Sequence, residues 1–133
     1  MFRLSLKIKI YSFGYHKSGI PLDTSGNNGG YVFDCRLINN PGKYSEFSNL
    51  SGKDKPVIEY LEKMPETKKF ITNILGIVDN AVNRYNEMNY SDLMISFGCT
   101  GGQHRSVYFA EQLKKYLNTA YPQVETEIIH TEL

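Results

Sequence analysis

Residues 93–107 read Leu-Met-Ile-Ser-Phe-Gly-Cys-Thr-Gly-Gly-Gln-His-Arg-Ser-Val, and this stretch decides the fold. Leu93–Phe97 is a short, largely apolar run, the signature of a strand buried on both faces in the middle of a parallel sheet. Three glycines follow within five residues, and the apolar positions then recur at helical spacing: Val107, Ala110, Leu113 and Leu117. A buried strand, a glycine loop and a helix in direct succession form half of a βαβ unit. In open α/β sheets such loops lie at the carboxyl edge, where ligands bind.

The flanking sequence agrees. Leu4, Leu6, Ile8 and Ile10 alternate with Arg3, Ser5, Lys7 and Lys9, a period of two that predicts a strand with one buried face, near a sheet edge. Tyr31–Arg36 predicts a short second strand ending in charge, and Val124–His130 a last one after the break at Tyr121-Pro122. Pro56 and Pro65 are suited to open two helices. The first has Val57, Leu61 and Met64 on its apolar face. Phe70, Ile71, Ile74, Leu75, Ile77, Val78, Ala81, Val82 and Tyr85 give the second a wide one that should pack on a sheet. Thr24–Gly30 (TSGNNGG) predicts a flexible loop, and Asn39–Gly52 a long surface loop of the kind that is often functional. The expectation is one α/β domain over residues 1–133: a mostly parallel sheet of about four strands, helices packed on it, and a glycine-rich strand–loop–helix anion site.

Composition narrows the function. At 133 residues, 41% hydrophobic and 22% charged, the chain suits one ordinary globular domain. A formal net charge of +1 supplies no overall field toward polyanions, so any bound anion must be held by a local patch. No apolar run approaches the roughly 20 residues of a membrane span. The two cysteines, Cys35 and Cys99, are expected as free thiols in a reducing cytoplasm. His16 and His130 lack a cysteine–histidine spacing that would support zinc, and neither metal nor cofactor is expected.

The chemistry concentrates at Cys99, Thr100, Gly101, Gly102, Gln103, His104, Arg105 and Ser106. Gly98, Gly101 and Gly102 allow close backbone approach to an anion, and the first N–H groups of the following helix have no partner inside it. Arg105 adds a fork that can hold two phosphate oxygens; Thr100 and Ser106 add hydroxyls, and His104 adds charge when protonated. The string GxxxxGK[ST] is missing, so Walker-type ATP hydrolysis is not indicated. Two readings stay open. One is a non-enzymatic site for a phosphorylated ligand. The other is a cysteine-dependent phosphatase with Cys99 as nucleophile and Arg105 on the phosphate, since Cys99-x5-Arg105-Ser106 fits such loops. Against the second, Gly98 stands where those enzymes usually carry His, and the general acid is unassigned between Asp34 and Asp54.

The string GCTGGQHRSV, with SFGY (12–15), GIP (19–21), VFDCR (32–36), NNP (39–41) and His130 in the same order, resembles the C-terminal domain of the RapZ (RNase adapter) family. The resemblance covers nearly the whole chain and implies a stand-alone version, without the N-terminal P-loop domain of full-length members. It implies a domain that binds phosphorylated small ligands, sugar phosphate or nucleotide, and RNA, and that self-associates as a homo-oligomer. By the same matching, Ser12, Gly14, Tyr15, Asp34, Arg36, Asn40 and His130 join the ligand positions as pocket candidates. Lys17 is added because it follows an early strand; the alternative for Asp34 and Arg36 is a surface pair, worth little by itself, and the resemblance favours the pocket. In the family His130 is usually followed by Arg-Asp, whereas Thr131 and Glu132 follow here, which removes one basic residue. The TSGNNGG insertion and the extra residue near His16–Ser18 depart from the pattern as well.

Overall fold

The computed structural model describes residues 5–133. Four strands, β1 (Lys7–Gly14), β2 (Tyr31–Asp34), β3 (Asp92–Cys99) and β4 (Glu125–His130), form one sheet in the order β2-β3-β1-β4. Each pairing is parallel, with Lys7 opposite Asp92 and Glu125, and Asp34 opposite Gly98. Three helices accompany it: α1 (Lys55–Glu62), α2 (Pro65–Glu87) and α3 (Arg105–Ala120). This is a single α/β domain with an all-parallel sheet.

Parallel neighbours on both sides explain β3, whose residues from Leu93 to Cys99 are all buried. They also correct the edge expectation for β1. Its lysines do alternate with buried Ile8 and Ile10, but Tyr11–Gly14 are buried throughout, and the strand lies between β3 and β4. Lys7 and Lys9 sit near its start, where Lys7 Nζ meets Glu127 at 3.5 Å and Lys9 Nζ reaches Thr24 Oγ1 at 3.4 Å. Leu4 lies outside the described residues. β2 stops at Asp34, two residues earlier than predicted, because the chain turns there and the Asp34 carboxylate takes the Arg36 N–H at 2.9 Å.

One face of the sheet supplies Ile8, Ile10, Leu93, Ile95, Phe97 and Cys99 to the core, against Ile74, Val78 and Val82 of α2 and Phe109, Leu113 and Leu117 of α3. Phe109 joins the layers, edge-on to Phe70 at 5.0 Å and stacked on Phe97 at 6.5 Å. Ile77 falls outside this face and is 44% exposed, since a stripe as wide as the one predicted exceeds what one helix can bury. The Asn39–Gly52 segment is not purely surface. It contains 3₁₀ turns at Pro41–Lys43 and Ser45–Phe47, with Pro41 and Phe47 buried. Thr24–Gly30 is organised by Asp23, whose carboxylate accepts from Ser25 N and Gly29 N, while Asn27 donates to the Asp92 carbonyl at 3.0 Å.

The helices are tied by phenols. Tyr116 and Tyr121 both donate to Asp79 Oδ1 at 2.7 Å, and Tyr108 donates to Glu62 Oε2 at 2.8 Å. Burial first and the carboxylate second push the Tyr108 and Tyr121 hydroxyls above their ordinary range; for Tyr116 the bond to Asp79 leads. Because these pKa values are raised on folding, the unfolded chain loses the protons first. Their stabilisation is therefore complete below the ordinary tyrosine value of about 10 and is lost as pH rises above it. Denaturant unfolding should show stability falling from about pH 10 to 11, with a shallower fall in Tyr121→Phe. Equal slopes in the two proteins would refute the assignment.

Candidate anion site

The glycine loop connects the buried end of β3 to the first turn of α3 at the carboxyl edge of the sheet. Phe13 and Tyr15 press on Gly98, where an added Cβ would fall 2.4 Å from Phe13 Cζ. Gly102 has φ +74°, a conformation that L side chains rarely adopt. Between them the Cys99 thiol is buried, donating to Ser106 Oγ at 3.2 Å and accepting the Gly102 N–H at 3.3 Å. Helix α3 begins at Arg105 without a side-chain cap, and its first intrahelical bond is Tyr108 N to His104 O at 3.0 Å. The N–H groups of Arg105, Ser106 and Val107 thus precede the helical ladder, and the positive end of the helix faces the loop.

Three consecutive side chains of the loop grip neighbouring segments. Gln103 Nε2 donates to the carbonyls of Ser48 and Leu50 at 2.8 and 2.7 Å. His104 Nε2 lies 2.9 Å from the Phe47 carbonyl, which can only accept, so this nitrogen carries the proton. Arg105 is 4% exposed, and its Nη1 donates to the carbonyls of Ile38 at 2.8 Å and Arg36 at 3.2 Å. Its Nη2 reaches Thr100 Oγ1 at 3.4 Å, while its buried Nε has no partner.

These contacts wall a cavity of about 320 Å³ lined by Asn40, Gly42, Ser48, Cys99, Thr100, Gly101, Gln103, His104 and Arg105. A groove of about 360 Å³ at Asn27, Tyr85, Asn89, Tyr90, Ser91 and Asp92 lies at the opposite, amino edge of β3, away from the helix N-terminus and the buried guanidinium. The structure therefore brings together seven of the residues singled out from sequence: Asn40, Cys99, Thr100, Gly101, Gln103, His104 and Arg105. It adds Gly42 and Ser48, which the Asn-Pro-Gly stretch and the length of that loop signalled only collectively.

The remaining candidates do not line this cavity. Ser106 supports Cys99 from behind, and Gly102 turns toward β1. Asp34 and Arg36 form a surface pair, Nη2 to Oδ2 at 2.8 Å, with the guanidinium 3.9 Å above the Tyr15 ring. That hydrogen bond, against a smaller opposing effect of burial, holds the Asp34 carboxyl below its usual range. Lys17 is exposed on the turn after β1. His130 lies on β4, where its Nδ1 meets Ser12 Oγ and its Nε2 meets Glu111 Oε2 at 2.7 Å. The Glu111 partner, the single acidic residue of α3, had no sequence signal, because nothing local to the helix marks it as facing His130 on β4.

An all-parallel α/β domain with a glycine loop feeding a helix N-terminus, and a buried arginine beside it, has the architecture in which ligand sites, where present, lie at the carboxyl edge of the sheet. Residues 6–133 match the RapZ C-terminal domain, and the chain belongs to that family. It is 39% identical over 128 residues to a protein of Marinobacter nauticus named "Nucleotide-binding protein", covering 96% of this chain and 41% of that one. Proteins of the same name from Thermosipho melanesiensis (41% identity; 84% of this chain, 38% of the relative) and Histophilus somni (39%; 92% and 41%) are similar in the same way. The chain thus spans about two fifths of the length of these relatives. Among the described residues no helix is long and apolar enough to cross a membrane.

Proposed function

We propose that this domain is a non-enzymatic binding module for a phosphorylated small molecule, held where the glycine loop meets Arg105. The observation that carries the reading is the state of the Arg105 guanidinium. Nη1 is anchored by two carbonyls, so the side chain cannot swing away, while buried Nε lacks a partner and Nη2 has only a long contact to Thr100. A buried N–H without an acceptor costs about 1–3 kcal/mol. One phosphate bound along the Nε–Nη2 edge satisfies it with two parallel, charge-assisted bonds, and the first turn of α3 and the loop amides supply further donors.

The lining favours the rest of such a ligand being rich in hydroxyls. Asn40, Ser48, Thr100, Gln103 and His104 present amide, hydroxyl and imidazole groups, and among the described residues no Phe or Tyr lines the cavity to stack on a base. A sugar phosphate suits it better than a nucleotide, although the relatives' name points to the latter. RNA would share the same phosphate contacts, but a net charge of +1 supports only a few of them, hence weak and salt-sensitive association. Amide NMR titration with inorganic phosphate, a hexose 6-phosphate, AMP and a short single-stranded RNA tests this. Saturable shifts at Thr100–Ser106, strongest for the sugar phosphate, are expected; silence toward all four probes would reject the reading.

The phosphatase alternative draws on the position of Cys99 in the glycine loop before α3, with its Sγ in contact with the Gly102 N–H and the Ser106 hydroxyl. Both candidate general acids are committed elsewhere: Asp34 to Arg36, and Asp54 to the Ser51 N–H at 2.7 Å. Cys99→Ser should accordingly keep phosphate affinity within a few-fold. Turnover of an aryl phosphate by the native chain that disappears in Cys99→Ser would instead establish the enzyme.

A further inference from the structure

The two cysteines of the chain meet where β2 ends. The parallel ladder pairs Asp34 with Gly98, and the Cys35 N–H extends it by one residue, donating to the Gly98 carbonyl at 2.7 Å. In a parallel ladder a residue that donates to one position lies opposite the next, so Cys35 stands opposite Cys99. Both side chains are buried in the same core cluster, 0% and 2% exposed. Burial first, and the neighbouring Cys99 next, push the Cys35 thiol well above its usual range. Opposite residues of adjacent strands lie about 4.8 Å apart, inside the roughly 4.4–6.8 Å between Cα atoms that a disulfide spans. The β-carbons must approach to about 3.8 Å, and Cys35 is the side that can yield, just past the end of an edge strand.

The two thiols are held differently. Cys99 lines the anion cavity, which has room for a molecule as small as a peroxide, and Cys35 does not. Cys99 Sγ touches the Gly102 N–H at 3.3 Å and Ser106 Oγ at 3.2 Å, whereas Cys35 Sγ has one long contact, to the Phe33 carbonyl at 3.7 Å. The turn that follows Cys35 also anchors the site, because its Arg36 and Ile38 carbonyls hold Arg105 Nη1. A bond between the two sulfurs therefore ties the glycine loop to the segment that Arg105 grips, at the expense of the Cys99 contacts to Gly102 and Ser106.

We propose that Cys35 and Cys99 are a redox pair: a peroxide oxidises them to an intrachain disulfide, which draws the Cys99 sulfur off the glycine loop and weakens anion binding until a thiol reductant reverses it. Cys99 reacts first, since it borders the cavity. Its sulfur attacks the peroxide O–O bond, forming a sulfenic acid and releasing water. The Cys35 sulfur then displaces the hydroxyl from Cys99, which leaves with the Cys35 proton as a second water. Two thiols and one hydrogen peroxide thus give one disulfide and two waters. In a reducing compartment such a bond is transient, which suits a sensor. The disulfide stands on the cysteine geometry alone, and its effect on binding rests on the glycine loop being a phosphate site.

Mass spectrometry and phosphate titration of the reduced and peroxide-treated chain test this. After treatment and desalting, the native chain should lose about 2 Da, two hydrogens, and yield a peptide that joins Cys35 to Cys99. Inorganic phosphate, followed at the Thr100–Ser106 amides of ¹⁵N-labelled chain, should bind the oxidised form at least about tenfold more weakly, with recovery in dithiothreitol. Cys35→Val keeps an apolar side chain in the core and should gain oxygen at Cys99 in place of the cross-link. If that variant does not fold, the mass and peptide map of the native chain decide. No reaction, oxygen added to native Cys99 without a cross-link, or a disulfide between two copies overturns the pair. A cross-linked chain that binds phosphate as the reduced chain does overturns the switch. Amides of the reduced chain that stay silent toward phosphate reject the phosphate reading and the switch with it, and the mass and peptide map then judge the disulfide by itself.

Discussion

Arg105→Ala is expected to weaken phosphate binding by about ten- to 150-fold and to destabilise the fold at the same time. The binding loss follows from removing a bidentate, charge-assisted contact of about 1.5–3 kcal/mol. The stability loss has a separate origin. Arg105 Nη1 holds the carbonyls of Arg36 and Ile38, and truncation leaves the buried one, Ile38 O, without that donor. A cost of about 1–3 kcal/mol is expected from that, in addition to lost packing of the aliphatic stem. Arg105→Lys distinguishes the two effects, because a point charge keeps attraction for the anion but cannot span two oxygens. Calorimetric titration with a hexose 6-phosphate, paired with denaturant unfolding, measures both. Affinity in Arg105→Ala equal to the native value would sink the anion site, whatever happened to stability.

Gly52→Ala carries the second large effect, at a residue outside the lining of the anion cavity. Its N–H donates to the Gln103 carbonyl at 2.9 Å, drawing the Asn39–Gly52 segment against the start of α3. An added methyl would lie 2.2 Å from His104 O and 2.5 Å from Tyr108 N, the acceptor and donor of the first hydrogen bond of that helix. Neither backbone atom can rotate aside as a flexible side chain could. Either the helix start or the loop must move, and overpacking of this kind costs about 1–3 kcal/mol. The loop carries Ser48 and abuts Gln103 and His104, so phosphate affinity should fall with stability. Gly101→Ala is the control: it faces open space at an unstrained φ and should leave stability within about 0.5 kcal/mol. Thermal unfolding of the two variants, side by side, checks the contrast. Equal melting temperatures would mean that the loop is not pinned as described.

Much of the domain is legible in the sequence. The apolar run at Leu93–Phe97 marked a buried strand because burial on both faces leaves no polar alternation to see. The prolines at 56 and 65 and the periodicity after each marked α1 and α2, and the break at Tyr121-Pro122 marked the end of α3. The glycine loop was legible as chemistry because glycines, hydroxyls and a guanidinium crowd into nine residues. The error at β1 came from a local signal. Lys7 and Lys9 are hydrophilic at the mouth of a strand that is otherwise internal, and their period of two resembles an edge strand.

What the sequence by itself determined was the order of elements, the parallel α/β class and the nine-residue segment that carries the candidate site. These depend on interactions between residues close in the chain, which periodicity and turn chemistry report directly. Only the tertiary structure decided which way the side chains of that segment point. Gln103, His104 and Arg105 were expected to face a ligand, yet each spends donors on backbone carbonyls 53 to 69 residues earlier in the chain. It also decided that Glu132, 118 residues from Gly14, accepts the Gly14 N–H beside the loop. Buried donors take the nearest available acceptor in space. Which carbonyl that is depends on how β1, β2 and β3 align in the sheet, and no local pattern of residues encodes it.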